Sequence, residues 1–198
     1  MVWNTSLAVI PVAAAYAMYW LAHRKSRALA NIGIIILGLI WLAFLPNTCY
    51  LLTEWRHFLW RVGYSGLYAE WRADASSALE LMIYTLFYMV FSGIGVLTLA
   101  LAIRPIHRLA RERGAVMWVW GVPLFLLLSI GVYLGLILRF NSWELLSRTG
   151  EIWASALEVA RRPALTFFVV SFAGFLWLVY LATDIWIDGL LARLRSRR

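Results

Sequence analysis

Long apolar runs alternate with short polar segments along the whole chain, and this alternation predicts helices that cross a membrane. Five runs approach the roughly 20 residues that a helix needs to cross the hydrocarbon core of a bilayer. Their approximate bounds are Trp3–Ala22, Ala28–Leu45, Leu79–Ile103, Met117–Leu138 and Ala164–Thr183. Basic residues follow the first run and none precedes it, so we interpret that run as a permanent span and not as a cleaved signal.

The composition supports the same fold class. Hydrophobic residues make up 63% of the 198 residues and charged residues 14%, and the mean hydropathy is +0.77. A soluble domain carries about 25% charged residues, and a chain of this size cannot bury such an apolar excess in its own core. We therefore predict an all-α polytopic helical bundle, with residues 1–198 forming one integral membrane domain.

Two of the polar segments carry the periodicity of amphipathic helices. In the first, apolar residues recur at helical spacing, and polar residues fall on the opposite face: Trp55, Phe58, Leu59 and Val62 against Glu54, His57 and Arg61. In the second, the apolar face comprises Ile152, Trp153, Ala156, Leu157 and Ala160. Such helices lie in the plane of the membrane interface, and we expect two of them on the outer side.

The distribution of basic residues predicts the topology. Of the 18 lysines and arginines, 11 lie in the short segments after the first, third and fifth spans, and 7 lie in the two longer segments. Short basic segments stay on the cytoplasmic side, so we expect the N-terminus outside and the C-terminus in the cytoplasm. Anionic lipid head groups account for the net charge of +8, and we expect no nucleic-acid partner.

Two polar motifs follow the second and fourth spans, and the topology puts both on the outer face. The first runs from Pro46 to His57, the second from Arg139 to Glu144. Together with Glu80, near the outer end of the third span, they define a candidate polar site: Asn47, Tyr50, Thr53, Glu54, His57, Glu80, Arg139, Asn141, Ser142, Trp143 and Glu144.

Several chemistries are open to this site. Arg139 can pair with Glu54, Glu80 or Glu144, or it can bind an anionic head group, since its fork suits carboxylate and phosphate alike. Asn47, Asn141 and Ser142 can instead cap helices.

The spacing of Glu54 and His57 places both side chains on one helical face, as in carboxylate–histidine metal sites. A di-metal site needs a second Glu-x-x-His pair, which the sequence lacks. A single zinc held with Glu80 or Glu144 is the remaining option, and we assign no metal. Cys49 is the single cysteine, which we interpret as a small apolar filler, and the sequence identifies no cofactor.

Three further features lie within the predicted spans or at their ends. Gly131 and Gly135 form a small-xxx-small pair that lets two helices approach closely. A polar stripe on the third span should face protein: Ser77, Glu80, Tyr84, Tyr88 and Ser92. His23 and His107 lie at predicted span ends, where we expect solvated side chains.

At its two polar motifs the chain resembles a bacterial family of membrane proteins known only as domain of unknown function 1361. The family's first motif, Leu-Pro-Asn-x-x-Tyr-x-x-Thr-Asp-x-x-His, is matched by Leu45, Pro46, Asn47, Tyr50, Thr53 and His57. Its second motif, Tyr-Leu-Gly…Arg-x-Asn-Ser-Trp-Asp, is matched by Tyr133, Leu134, Gly135, Arg139, Asn141, Ser142 and Trp143. Glu54 and Glu144 replace the two aspartates. The resemblance implies a membrane fold and a bacterial cytoplasmic (inner) membrane, but no activity.

Two functions remain open from the sequence. The first is a non-enzymatic binding or accessory subunit with a polar site at the extracytoplasmic face, whose partners are membrane lipid and other membrane subunits. The second is an enzyme or carrier that acts on a lipid or isoprenoid head group at that face. Convergence of Glu54, His57, Glu80 and Arg139 on one pocket would favour the second function.

Overall fold

The computed structural model describes residues 2–24, 27–64, 66–70, 72, 74–140 and 144–197. In chain order their helices are α1 (Val2–Ala22), α2 (Arg27–Phe44), α3 (Pro46–Thr53), α4 (Trp55–Tyr64), α5 (Leu67–Glu70), α6 (Ala75–Glu112), α7 (Met117–Leu136), α8 (Glu144–Ser147), α9 (Thr149–Arg161) and α10 (Pro163–Arg195). The described residues contain no strand. Five helical segments are long and apolar enough to cross a membrane, which confirms the all-α polytopic fold.

Two of the long helices extend well past the predicted spans. Helix α6 continues to Glu112 and α10 to Arg195, although the sequence predicted ends near residues 103 and 183. The reason is Arg104, which we had placed in a loop: its buried side chain pairs with Asp184 and Asp188 of α10. The charge therefore marks a contact between two helices and not the end of one.

Helix α6 also begins earlier than predicted, because Asp74 caps its N-terminus. The Asp74 carboxylate accepts hydrogen bonds from the backbone N–H and the hydroxyl of Ser77, both at 3.0 Å. The hydroxyl of Ser76 donates a further hydrogen bond to the same carboxylate. The Ser76 bond, together with those from Ser77, stabilises the charged form and lowers the pKa of Asp74 to about 2.

Helix α1 connects the two ends of the bundle. Near its start, Asn4 donates a hydrogen bond to Glu54; just past its end, His23 Nε2 lies 3.2 Å from Glu112 Oε2. We call the end that holds Glu54 the motif end. The opposite end, which holds His23, Glu112 and the arginines of the C-terminal tail, is the basic end.

Helices α2, α3 and α4 follow one another with a single residue between neighbours, and Pro46 causes the first break. Proline has no N–H to donate, which interrupts the hydrogen-bond ladder. The Thr48 N–H bonds to the Leu45 carbonyl at 3.1 Å, and the Asn47 side chain donates to the Phe44 carbonyl at 3.0 Å. Asn47 thus supplies a hydrogen-bond donor to the last carbonyl of α2. At the N-cap position of α3, Leu45, no side chain forms a capping hydrogen bond.

Helix α3 lies inside the bundle and not in an outer loop, as the sequence had suggested for Pro46 onward. Leu45, Thr48, Cys49 and Leu51 are all fully buried, and α3 packs against α1, α6 and α7. The burial of Cys49 confirms its interpretation as an apolar filler.

Both predicted amphipathic segments are helical, as α4 and α9. Trp55 and Phe58 of α4 pack on Tyr88 of α6, with ring centroids 6.2 and 5.5 Å apart. In α9, Ile152 and Val159 are buried while Trp153 and Leu157 are exposed. The predicted apolar face of α9 therefore divides into an inner part, which packs on the bundle, and an outer part.

Candidate functional site

Three glycines allow α3 to approach its neighbours more closely than side chains would permit. A Cβ atom at Gly95 of α6 would lie 2.8 Å from the Leu51 Cβ, and one at Gly131 of α7 would lie 2.7 Å from the Pro46 Cγ. A Cβ atom at Gly135 would overlap the Tyr50 hydroxyl. We call Gly95, Gly131 and Gly135 the glycine cradle, because α3 rests between them.

Tyr50 joins the first motif to α7, the helix that leads into the second motif. Its ring lies over Gly135, and its hydroxyl donates to the Gly131 carbonyl at 3.4 Å, a long and therefore weak hydrogen bond. Close packing, more than this hydrogen bond, thus joins the two helices. Thr53 bonds back to the Tyr50 carbonyl at 3.0 Å, so Tyr50 and Thr53 both serve the packing of α3.

Glu54 ends α3 at the motif end and is only 8% exposed. Its Oε1 accepts a hydrogen bond of 3.0 Å from the Asn4 side-chain amide, which ties α1 to the junction of α3 and α4. We had not predicted Asn4 as a site residue. The sequence feature that could have identified Asn4 is a polar amide inside an apolar run, which usually marks a contact with protein and not with lipid.

His57 shares the helical face of Glu54, as the spacing predicted. Its Nε2 lies 3.7 Å from Glu54 Oε2, beyond hydrogen-bond range, and the imidazole is exposed. Among the residues that the structure describes, no group of three histidine, cysteine or acidic side chains could hold a metal ion. Neither Glu80 nor Glu144 therefore completes a zinc site with this pair.

Arg139 occupies a left-handed backbone position, with φ of 60°. It lies in the turn after α7, where the Phe140 N–H bonds to the Leu134 carbonyl at 3.1 Å. Glycine is the usual residue at such a position, because a side chain costs about 1–2 kcal/mol there. Arg139 is exposed, so the turn projects a strained arginine at the motif end.

The expected direct ion pair of Arg139 does not form. Within the described residues, no carboxylate oxygen of Glu54, Glu80 or Glu144 lies within 4.0 Å of its guanidinium. Glu144 instead pairs with Arg148 at 3.1 Å, because a partner four residues away on a local turn is reached at little entropic cost.

Arg148 also holds Glu151 at 2.5 Å, which raises the pKa of Arg148 and lowers that of Glu151 through hydrogen bonding and charge. Glu80 is exposed. Asn141, Ser142 and Trp143 lie outside the described residues. The candidate site therefore divides into a Glu54–His57 cluster with Asn4, a Glu144–Arg148 pair, and the separate side chains of Glu80 and Arg139.

The middle of the polar stripe of α6, at Tyr84 and Tyr88, faces α4. Tyr88 is buried, and the Arg61 guanidinium lies 4.3 Å from the ring centroid of Tyr84. Glu80 lies on the same stripe, but its side chain is exposed.

A second polar cluster, at the basic end, was missed by the sequence reasoning. Arg104 Nε lies 3.2 Å from Asp184 Oδ1, and His107 is hydrogen-bonded to the buried hydroxyl of Tyr180 at 2.7 Å. The prediction of a solvated His107 was therefore wrong. The available signal was the helical spacing of Arg104 with His107 on α6, and of Tyr180 with Asp184 and Asp188 on α10.

Comparison with known proteins adds a family but no activity. The family model described as "Protein of unknown function (DUF1361)" matches residues 3–179. The matched region includes both polar motifs, the glycine cradle and the first half of α10. No curated protein and no solved structure matches the chain.

Proposed function

Since the chain belongs to this family of unknown function, we propose its role from the geometry: a non-enzymatic, membrane-embedded binding or accessory subunit with a polar site at the extracytoplasmic face. One observation carries the proposal. The residues of the first family motif are used in packing α3, as the buried Leu45, the kink at Pro46 and the Tyr50 contact with the glycine cradle illustrate. A motif that stabilises a fold suits a protein that presents a surface more than one that performs chemistry.

The surface that we assign to partner subunits lies on the first half of α6. The short helix α4 packs on this segment through Trp55 and Phe58. The segment exposes seven large apolar side chains in about four turns: Leu79, Met82, Ile83, Leu86, Phe87, Met89 and Val90. Lipid solvates such a surface in a monomer, and a helix of a partner subunit can replace that lipid by close packing.

A second candidate function, an enzyme or carrier for a lipid or isoprenoid head group, is favoured by Arg139. Its strained backbone and its exposed guanidinium leave a cation available at the motif end. Glu54 and His57 would supply a carboxylate and an imidazole for proton transfer. The separation of Arg139 from the Glu54–His57 cluster weighs against a single reaction centre.

Native mass measurements on the full-length protein, extracted from its own membrane into nanodiscs, distinguish the two functions. We expect a particle that contains more protein than one 22.7 kDa chain. Ile83→Trp, which enlarges the exposed face of α6, should reduce the particle to one chain. Phe167→Trp on α10, another exposed apolar position, is the matched control and should leave the assembly intact.

His57→Gln is the informative variant for the polar cluster. An amide can replace at least one imidazole hydrogen bond, so we expect the variant to keep the wild-type thermal stability and assembly. A wild-type protein that is a single chain in nanodiscs would contradict the accessory role. Loss of assembly in His57→Gln, with Ile83→Trp unaffected, would also contradict it.

The proposal includes an orientation in the cytoplasmic membrane of a bacterium, with the motif end outside. The arginine-rich basic end supports this orientation, because short basic segments are retained in the cytoplasm. The buried Cys49 gives a silent background for cysteine labelling.

In intact spheroplasts, a membrane-impermeant maleimide should label Tyr64→Cys, at an exposed position of the motif end. It should label Arg195→Cys, in the tail at the basic end, only after permeabilisation. The reverse pattern would place both motifs in the cytoplasm.

A further inference from the structure

A cavity of about 450 Å³ opens at the basic end, between the end of α1, the first turns of α2 and the end of α6. Its volume falls within the range of small-molecule sites. Leu21, Ala22, Ala30 and Ile34 provide apolar lining, and His23, Arg24, Asn31 and Arg113 provide polar groups.

Two arginines give this cavity a positive charge. Neither Arg24 nor Arg113 forms an ion pair with a carboxylate in the described part of the chain. Arg24 is stacked over the Trp20 ring, with its Cζ atom 3.8 Å from the ring centroid, which holds the guanidinium at the cavity.

The acidic group nearest to the cavity is already engaged. The Glu112 carboxylate accepts a hydrogen bond of 3.0 Å from the Tyr19 hydroxyl and lies 3.2 Å from His23 Nε2. Glu112 is thus engaged with Tyr19 and His23, and within the described residues it forms no ion pair with Arg24 or Arg113. The first turn of α2, which contains Ala30, also lies at the cavity. The N–H groups of a helix's first turn have no partner within the helix and favour an anion.

An apolar stripe on the outer face of α2 begins beside the cavity. Four exposed side chains follow at helical spacing along the helix: Leu29, Ile32, Ile36 and Leu39. A ligand with a negative head group and long apolar chains could thus place its head group at the arginines and its chains along α2.

We infer that this cavity binds the phosphate of an anionic phospholipid from the membrane leaflet at the basic end. The bidentate fork of arginine matches phosphate oxygens, and basic pockets between transmembrane helices are known to accept such head groups. The apolar stripe selects a lipid over free phosphate.

Native mass spectrometry of the delipidated full-length protein, titrated with phosphatidylglycerol or phosphatidylcholine, tests the site. We expect a saturable phosphatidylglycerol adduct and at least about tenfold weaker binding in Arg24→Gln/Arg113→Gln, since two head-group contacts are removed. Arg193→Gln/Arg195→Gln, which removes two charges at the same end away from the cavity, should bind as the wild type does.

Three results would overturn the inference. Equal losses in the two double variants would show diffuse attraction to the whole basic end. Equal affinity for phosphatidylcholine would show that the head-group charge is not recognised. Displacement of the lipid by millimolar inorganic phosphate would identify free phosphate as the ligand. Because both arginines are exposed, gel filtration should give the same folded elution volume for every variant.

Discussion

Replacing Gly95 or Gly135 by alanine is expected to destabilise the folded protein by about 1–3 kcal/mol each, the usual cost of overpacking. At Gly95 the new methyl group would lie 2.8 Å from the Leu51 Cβ and 3.1 Å from backbone atoms of α3. Backbone cannot move aside as the end of a flexible side chain can. Heating in mild detergent, followed by gel filtration, measures the loss of folded protein.

Two other glycines on long helices are the controls. Gly93, two residues before Gly95 on α6, and Gly174 on α10 have no atom within 4 Å of an added Cβ. Alanine improves helix propensity by up to about 1 kcal/mol, so Gly93→Ala and Gly174→Ala should be neutral or slightly stabilising. Equal destabilisation at all four positions would mean that α3 does not rest against the cradle.

Replacing Arg104 by methionine is expected to give the largest loss from a single polar contact. The arginine side chain is 6% exposed and its partner Asp184 is 18% exposed, so the substitution leaves a largely buried carboxylate without its cation. Breaking a buried pair from one side costs about 3–5 kcal/mol; the remaining exposure of Asp184 reduces our expectation to about 2–3 kcal/mol.

The double variant Arg104→Met/Asp184→Leu should recover much of this stability, because it removes both largely buried charges and leaves only the exposed Asp188. Arg108→Met, at an exposed position one turn further along α6, is the matched control and should leave the melting temperature unchanged. A double variant that is less stable than Arg104→Met alone would contradict a structural role for the pair.

The spans and the helix at Trp55–Tyr64 could be predicted because periodicity and hydropathy are local properties of the sequence. The length of α6 could not be predicted, because a charged residue such as Arg104 usually marks the end of a span. Only the fold shows that Asp184, 80 residues later, lies beside it. The burial of α3 could not be predicted for a similar reason. Pro46 and Asn47 are typical of a helix end or a turn, and only the glycines of α6 and α7 make room for the chain to continue inside the bundle.

The candidate site was predictable in its local pairs and not in its long-range contacts. Glu54 and His57 share a face because they are at positions i and i+3 of a helix. The partner of Glu54 is Asn4, 50 residues earlier in the chain, and no pattern within the first motif indicates it. From its charge alone, Arg139 could pair with a carboxylate or bind an anionic head group. Its left-handed turn and the competing Arg148 decide against the pair with Glu144.

The central claim is that the first family motif forms a packed helix whose Tyr50 fits the space left by Gly135. A double-mutant cycle on thermal stability tests it most directly, with Gly135→Ala measured in the wild-type and in the Tyr50→Leu backgrounds. Leucine lacks the ring atoms that an added Cβ would meet, so Gly135→Ala should cost at least about 1 kcal/mol less in that background, a coupling typical of residues in contact. Costs in the two backgrounds that agree within about 0.5 kcal/mol, as for distant sites, would contradict the account.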